Sequence, residues 1–68
     1  MENLQLAQRI RAYRKLKGFT QQQLAERSGV SLAVLGAIER GNRRAEDQIL
    51  IKIVDALGIA MSELKSSE

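Results

Sequence analysis

Cysteine, histidine, proline and tryptophan are all missing from this 68-residue sequence. Without cysteine there is neither a disulfide framework nor a thiolate metal site. Without histidine the commonest general base and metal ligand is gone. Zinc centres and Ser-His machinery are therefore excluded by inventory. No metal site and no cofactor motif is expected, and a chain this short leaves little room for a small-molecule pocket, even for carboxylate-only catalysis. The expectation is a binding protein and not an enzyme. Two aromatic residues, Tyr13 and Phe19, are too few for a platform on which single-stranded bases stack. No run of about 18 apolar residues exists, so no membrane association is expected. The start, Met1-Glu2-Asn3, lacks the basic and apolar segments of a secretory signal. A soluble cytoplasmic protein is the default.

What the sequence does contain is charge, unevenly placed. The formal net charge is +3, but residues 1–44 hold nine Lys and Arg against three carboxylates (+6), and residues 45–68 hold two against five (−3). A basic front and an acidic back suit a polyanionic partner on one side only. A solvated charged surface has the same composition, so charge alone decides nothing.

Glycines punctuate the chain. Gly18, Gly29, Gly41 and Gly58 each close a stretch of helical period, as left-handed residues do just past a helix end. No linker, internal repeat or low-complexity segment interrupts residues 1–68, which read as a single domain. A first helix is expected over residues 4–17, with Leu6, Ile10, Tyr13 and Leu16 as its apolar stripe. Thr20 caps a second helix, and Gln23 three residues later completes a capping box. Leu24 and Ala25 point inward, and this helix ends near Ser28. Ser31 caps a third helix over residues 32–40. A fourth covers about residues 46–57, with Leu50, Ile53, Val54 and Leu57 as its inward face. A last short turn, about residues 61–65, folds Met61 and Leu64 back beside Ile59, and the tail Ser66-Ser67-Glu68 frays. The fold class is all-α.

The informative segment is residues 21–40, QQQLAERSGVSLAVLGAIER. Two short helices crossing near a right angle about a three-residue turn need particular residues at particular places. Leu24 plugs the core from the first helix of the pair. Ala25 stands where the helices come closest, Gly29 supplies the positive φ of the turn, and Val30 closes it. Leu35 and Ile38 bury one side of the second helix and leave the other side facing out. Val34, beside Ile38 in the buried stripe, reads as core, and Tyr13 as a core flank.

These residues are set in a longer pattern. It comprises I-R-x-Y-R-K-x-K-G at 10–18, T-Q-x-x-L-A at 20–25, S-G-V-S at 28–31, I-E-R-G at 38–41 and K-I-V-D-A-L-G-I at 52–59. Residues 10–64 thereby resemble the XRE-type helix-turn-helix family, which includes the Cro and repressor proteins of lambdoid phages. The resemblance implies a five-helix, lambda-repressor-like domain that binds double-stranded DNA as a repressor-like transcriptional regulator. It implies roles for individual residues as well. Gln21, in the first turn of the second helix, would hydrogen-bond a phosphate beside the free N–H groups of that helix end. Arg14 and Glu39 would form a partly buried ion pair tying the first helix to the end of the third. Asn42, Arg43 and Arg44 would run along the sugar-phosphate backbone. The helix 32–40 would lie in the major groove.

Helical spacing from Leu35 and Ile38 turns Leu32, Ala33, Gly36, Ala37 and Arg40 outward. With Gln21, Ser31 and the loop residues Asn42, Arg43 and Arg44 they make up the expected DNA-binding set. Relatives commonly carry polar residues at these outward positions, but here four of the five have no side-chain hydrogen bond to offer. Three accounts stand open. Leu32 and the alanines could touch thymine methyls while Arg40 makes the polar contact. Binding could run mainly through phosphates and DNA shape. Or the face could serve a protein partner, making the chain an antitoxin-like or antirepressor-type adaptor on the same fold. One module contacts one half-site and dimers span half-sites about 34 Å apart, so a homodimer is expected. Ile49, Ile51 and Met61 are its candidate interface; ordinary core packing is the competing reading.

Overall fold

Each helix begins and ends where local chemistry requires it. In the computed structural model, which describes residues 2–65 with side chains from Leu4 onward, five helices and no strand occur among the described residues. They are α1 (Glu2–Leu16), α2 (Gln21–Ser28), α3 (Leu32–Glu39), α4 (Asp47–Leu57) and α5 (Met61–Leu64). Boundaries move from expectation by one or two residues, the scale on which helix ends fray. The fraying expected of Ser66-Ser67-Glu68 lies outside the described residues.

The caps carry their predicted hydrogen bonds. Thr20 Oγ1 accepts from the Gln23 N–H (3.0 Å) and Gln23 Oε1 accepts from the Thr20 N–H (2.9 Å), closing the capping box of α2. Ser31 Oγ accepts from the Val34 N–H at 3.1 Å at the start of α3. The four helix-ending glycines all have positive φ, between 72° and 79°. Gly29 matters most, because its left-handed conformation reverses the chain between α2 and α3, while its N–H donates to the Ala25 carbonyl at 2.9 Å. Glu63 reaches back to accept from the Ala60 N–H (3.1 Å) and so starts α5.

Every helix contributes to one core. Ile10 of α1, Leu24 of α2, Leu35 and Ile38 of α3, Leu50 and Ile53 of α4 and Leu64 of α5 are all at most 2% exposed. Each such burial contributes roughly 1.5–3 kcal/mol, a large share for a domain whose whole stability is of order 5–15 kcal/mol. Val30 in the α2–α3 turn and Ala45 in the loop before α4 are buried too. Helix α3 packs its inner side on α1 and α2, α4 packs on α2, and α5 rests on α4 and α1. Arg9 fastens that last contact by donating from Nη1 to the Leu64 carbonyl at 3.2 Å.

The stripe expected on α1 is only partly right. Leu6 and Tyr13 flank the core and Ile10 is fully buried, but Leu16 is 76% exposed. At 3.6 residues per turn, Leu16 lies roughly 120° round the helix from Ile10, whereas Ala7 and Arg14 lie within about 60°. Ala7 is accordingly buried, at 1% exposed, and Arg14 is turned toward the core. On α4 the inward face Leu50, Ile53, Val54 and Leu57 is buried as expected. The three interface candidates separate. Ile49 and Met61 are half-buried against the core, so the packing account holds for most of their surface. Ile49 stands one turn before Ile53, on the same side of α4. Ile51 alone of the three is exposed, at 57%.

Gly29→Val tests the turn. A Cβ at Gly29 would meet no atom within 4 Å, so the expected loss is backbone strain alone, about 1–2 kcal/mol for holding an L-residue in the left-handed region. It should appear as a lower urea midpoint with an unchanged slope. An unchanged midpoint would show that this turn accepts a β-branched residue.

Candidate nucleic-acid interface

The first turn of a helix has backbone N–H groups without intrahelical partners. In α2 the capping box occupies one of these, and Gln21 stands in the same turn with its side chain half-buried. Its Nε2 donates to Glu39 Oε1 at 3.1 Å. One amide hydrogen and the carbonyl oxygen of Gln21 remain for other partners.

Glu39 closes α3 and, among the described residues, is the buried charge, at 3% exposed. Arg14 meets it as a fork, Nε to Oε2 at 2.8 Å and Nη2 to Oε1 at 3.0 Å. The remaining Arg14 nitrogen, Nη1, donates to the Phe19 carbonyl at 3.0 Å. The expected ion pair is therefore present and nearly enclosed, with side-chain exposures of 11% for Arg14 and 2% for Glu39. A bidentate pair of this kind combines two charge-assisted bonds with a fixed plane. It ties α1, the approach to α2 and the end of α3 into one unit. Nearby, the Arg27 guanidinium lies over the Phe19 ring, 4.7 Å from its centroid.

The outward side of α3 presents Leu32, 47% exposed, together with exposed Ala33 and Arg40 and half-buried Ala37. Tyr13 flanks the core as expected, and Val34, expected within the core, is half-buried against it. Gly36 departs from expectation: it is buried. It lies only about 60° round the helix from Glu39, and the side chains of Gln21 and Arg40 cover it, their nearest atoms 3.7 and 3.2 Å from where a Cβ would stand. Ser31 is committed to capping through its acceptor oxygen, which leaves its hydroxyl hydrogen free to donate outward.

Beyond α3 the chain turns back on the helix end. Gly41 N–H donates to the Ile38 carbonyl (3.0 Å) and Asn42 N–H to the Ala37 carbonyl (2.9 Å). Asn42, Arg43 and Arg44 are exposed, and buried Ala45 pins the far end of the loop. The two arginines thus stand on a short segment held at both ends. Among the described residues no cluster of His, Cys, Asp or Glu is arranged to hold a metal ion, and no helix is long and apolar enough to cross a membrane.

A helix-turn-helix family model (HTH_3) matches residues 10–64. The chain belongs to this family. An uncharacterized HTH-type transcriptional regulator of Bacillus subtilis, YazB, is 48% identical over 60 residues, covering 88% of this chain and 87% of YazB. Among solved structures, the restriction-modification controller protein C.AhdI from Aeromonas hydrophila superposes with a TM-score of 0.88 at 35% identity, over 91% of this chain and 94% of its own. The clp gene regulator ClgR from C. glutamicum gives a TM-score of 0.91 at 31% identity, over 96% and 83% respectively. The five-helix, all-α architecture is shared with these regulators.

Two contacts of the site were not anticipated: the Gln21–Glu39 hydrogen bond and the Arg14 bond to the Phe19 carbonyl. Both bridge residues with no helical periodicity in common, so no spacing in the sequence points to them. Arg14→Ala should cost roughly 3–5 kcal/mol, since it leaves a buried carboxylate unpaired. Combining Arg14→Met with Glu39→Leu removes both charges and should recover much of that loss. Urea denaturation of the three proteins measures it; a double variant no more stable than the single would mean that the lost Phe19 and Gln21 contacts dominate.

Proposed function

We propose that this chain is a repressor-like transcriptional regulator that binds duplex DNA and acts in the cytoplasm by binding and release alone, without catalysis. Residues 1–68 act as a single domain whose helix-turn-helix unit is residues 10–64, and α3 docks in the major groove. The observation that carries the reading is the placement of α3. One side is locked to α1 and α2 through Leu35, Ile38 and Glu39. The other side is free, with Gln21 at one flank and the Arg43-Arg44 loop at its end. YazB is named a transcriptional regulator, C.AhdI a restriction-modification controller and ClgR a gene regulator, which supports the same role here.

In this reading the contacts divide in two. Gln21, the Ser31 hydroxyl and Asn42, Arg43 and Arg44 meet phosphates and set the register. Leu32, Ala33, Ala37 and Arg40 face base edges, and Gly36 lies beneath Arg40 and Gln21. Phosphate neutralisation releases counterions, so log affinity should fall linearly with log salt, by about 0.9 per phosphate contacted. Arg43→Ala should weaken binding to all duplexes alike and make that slope shallower by about 1 unit. Anisotropy titrations at several salt concentrations measure both. Absence of binding at low ionic strength sinks the DNA reading, and turns the exposed α3 face toward a protein partner.

Two copies acting together would place two α3 helices on successive half-sites. Ile51, exposed on α4, is the residue through which a second copy would dock. Ile51→Glu should give a folded monomer with weaker affinity for a two-half-site duplex, with sedimentation reporting the state. A wild-type protein that sediments as a monomer at the concentrations of DNA binding removes the interface.

A further inference from the structure

A glycine in the middle of an eight-residue helix runs against helix propensity, and Gly36 occupies that place in α3. It shares a ridge with Leu32 and Arg40, four residues to either side. Helical side chains lean back over the turn that precedes them, so Arg40 is directed over Gly36. A Cβ built on Gly36 would stand 3.2 Å from Arg40 Nη1, and 3.7 and 4.0 Å from Gln21 Oε1 and Nε2. The missing side chain therefore leaves a notch. Its floor is the α3 backbone, and one wall is the Gln21 amide, which Glu39 holds at 3.1 Å and Arg14 holds through Glu39. The Arg40 guanidinium lies in this notch at the centre of the outward face. Its side chain has no hydrogen-bond or ion-pair partner among the described residues, so its donors are available. The neighbouring outward residues Leu32, Ala33 and Ala37 have no side-chain polar group at all.

We infer that Gly36 is a specificity-determining position: its notch seats the Arg40 guanidinium against Gln21 so that its fork donates to O6 and N7 of one guanine in the major groove. The inference rests on the DNA-binding reading above and adds the base that is read. Arginine with guanine is the pairing in which the rigid fork matches two acceptors on one base edge. Gly36 acts as a positioning residue and Arg40 as the contact. A helix with almost no polar side chains of its own thereby presents one oriented donor pair.

The test is selection of binding sites from random duplexes with the full chain, comparing wild type with Arg40→Ala, Arg40→Lys, Gly36→Ala and Gly36→Gln, each also melted thermally. Wild type should enrich a guanine at one position of the half-site, with a preference of roughly tenfold or more. Arg40→Ala should lose the preference at that position alone, and Arg40→Lys should weaken it, since an ammonium can reach guanine but lacks the planar fork. Gly36→Ala should diminish it, because the guanidinium must give way to the new methyl, and Gly36→Gln should abolish it by filling the notch. Gly36→Ala should nevertheless melt no lower than wild type, alanine being the better helix former, which separates lost readout from lost fold. In the Arg40→Ala background, Gly36→Gln should have no further effect at the guanine position. A guanine preference that survives Gly36→Gln overturns the inference, as does an Arg40→Ala loss spread evenly over all sequences, the mark of a phosphate contact. A wild type that binds duplex but enriches nothing overturns the inference and leaves the DNA reading standing; one that binds no duplex at low salt overturns both.

Discussion

The fork between Arg14 and Glu39 is the interaction on which the arrangement of α3 depends. A carboxylate with 2% side-chain exposure has lost its water and must be compensated by fixed donors. Arg14 supplies two bonds and Gln21 a third. These donors come from α1 and from the first turn of α2, so satisfying one buried charge aligns three helices. Such a pair adds little net stability over an apolar replacement, while an unpaired partner is costly. Its consequence is therefore positional: α3 is held in one rotation about its axis, and the same residues always face out.

That constraint explains how so small a core suffices. Helices α1, α2, α3 and α5 each send one or two large side chains into a cluster to which α4 gives four, and the polar fork supplies the orientation that a larger apolar interface would otherwise provide. Short turns with capped helix ends complete the frame. The loop carrying Arg43 and Arg44 is fixed by the closing hydrogen bonds after α3 on one side and by buried Ala45 on the other. The charged groups proposed to meet DNA therefore stand on defined backbone and cost little further ordering on binding.

The outward face of α3 is composite. Its own residues are mostly apolar, and its polar groups arrive from elsewhere: Gln21 from α2, and Arg40 from the C-terminal end, folded back over Gly36. A face built in this way depends on side chains that cross between elements. The sequence of the helix alone therefore understates its capacity for hydrogen bonding.

Much of the molecule was legible in the order of residues, because the relevant physics is local. Caps at Thr20 and Ser31, the positive-φ glycines, the inward stripe of α4 and the αα turn all follow from short-range chemistry, and the motif residues at 10–64 point to the family. The DNA-contact set read from that pattern remains, as a set, a proposal. Tertiary structure decided what depends on which side of a helix meets a neighbour. Leu16 was expected in the core and is exposed, because it lies roughly a third of a turn from Ile10 and no other helix reaches it there. Ala7 and Ala45 are buried because neighbours close over them, not because they are strongly apolar. Gly36, read as outward, is covered by Gln21 and Arg40. Residue order determines which groups a helix carries on each face; only the packing of α1, α2 and α3 around one buried carboxylate decides which of those groups meet.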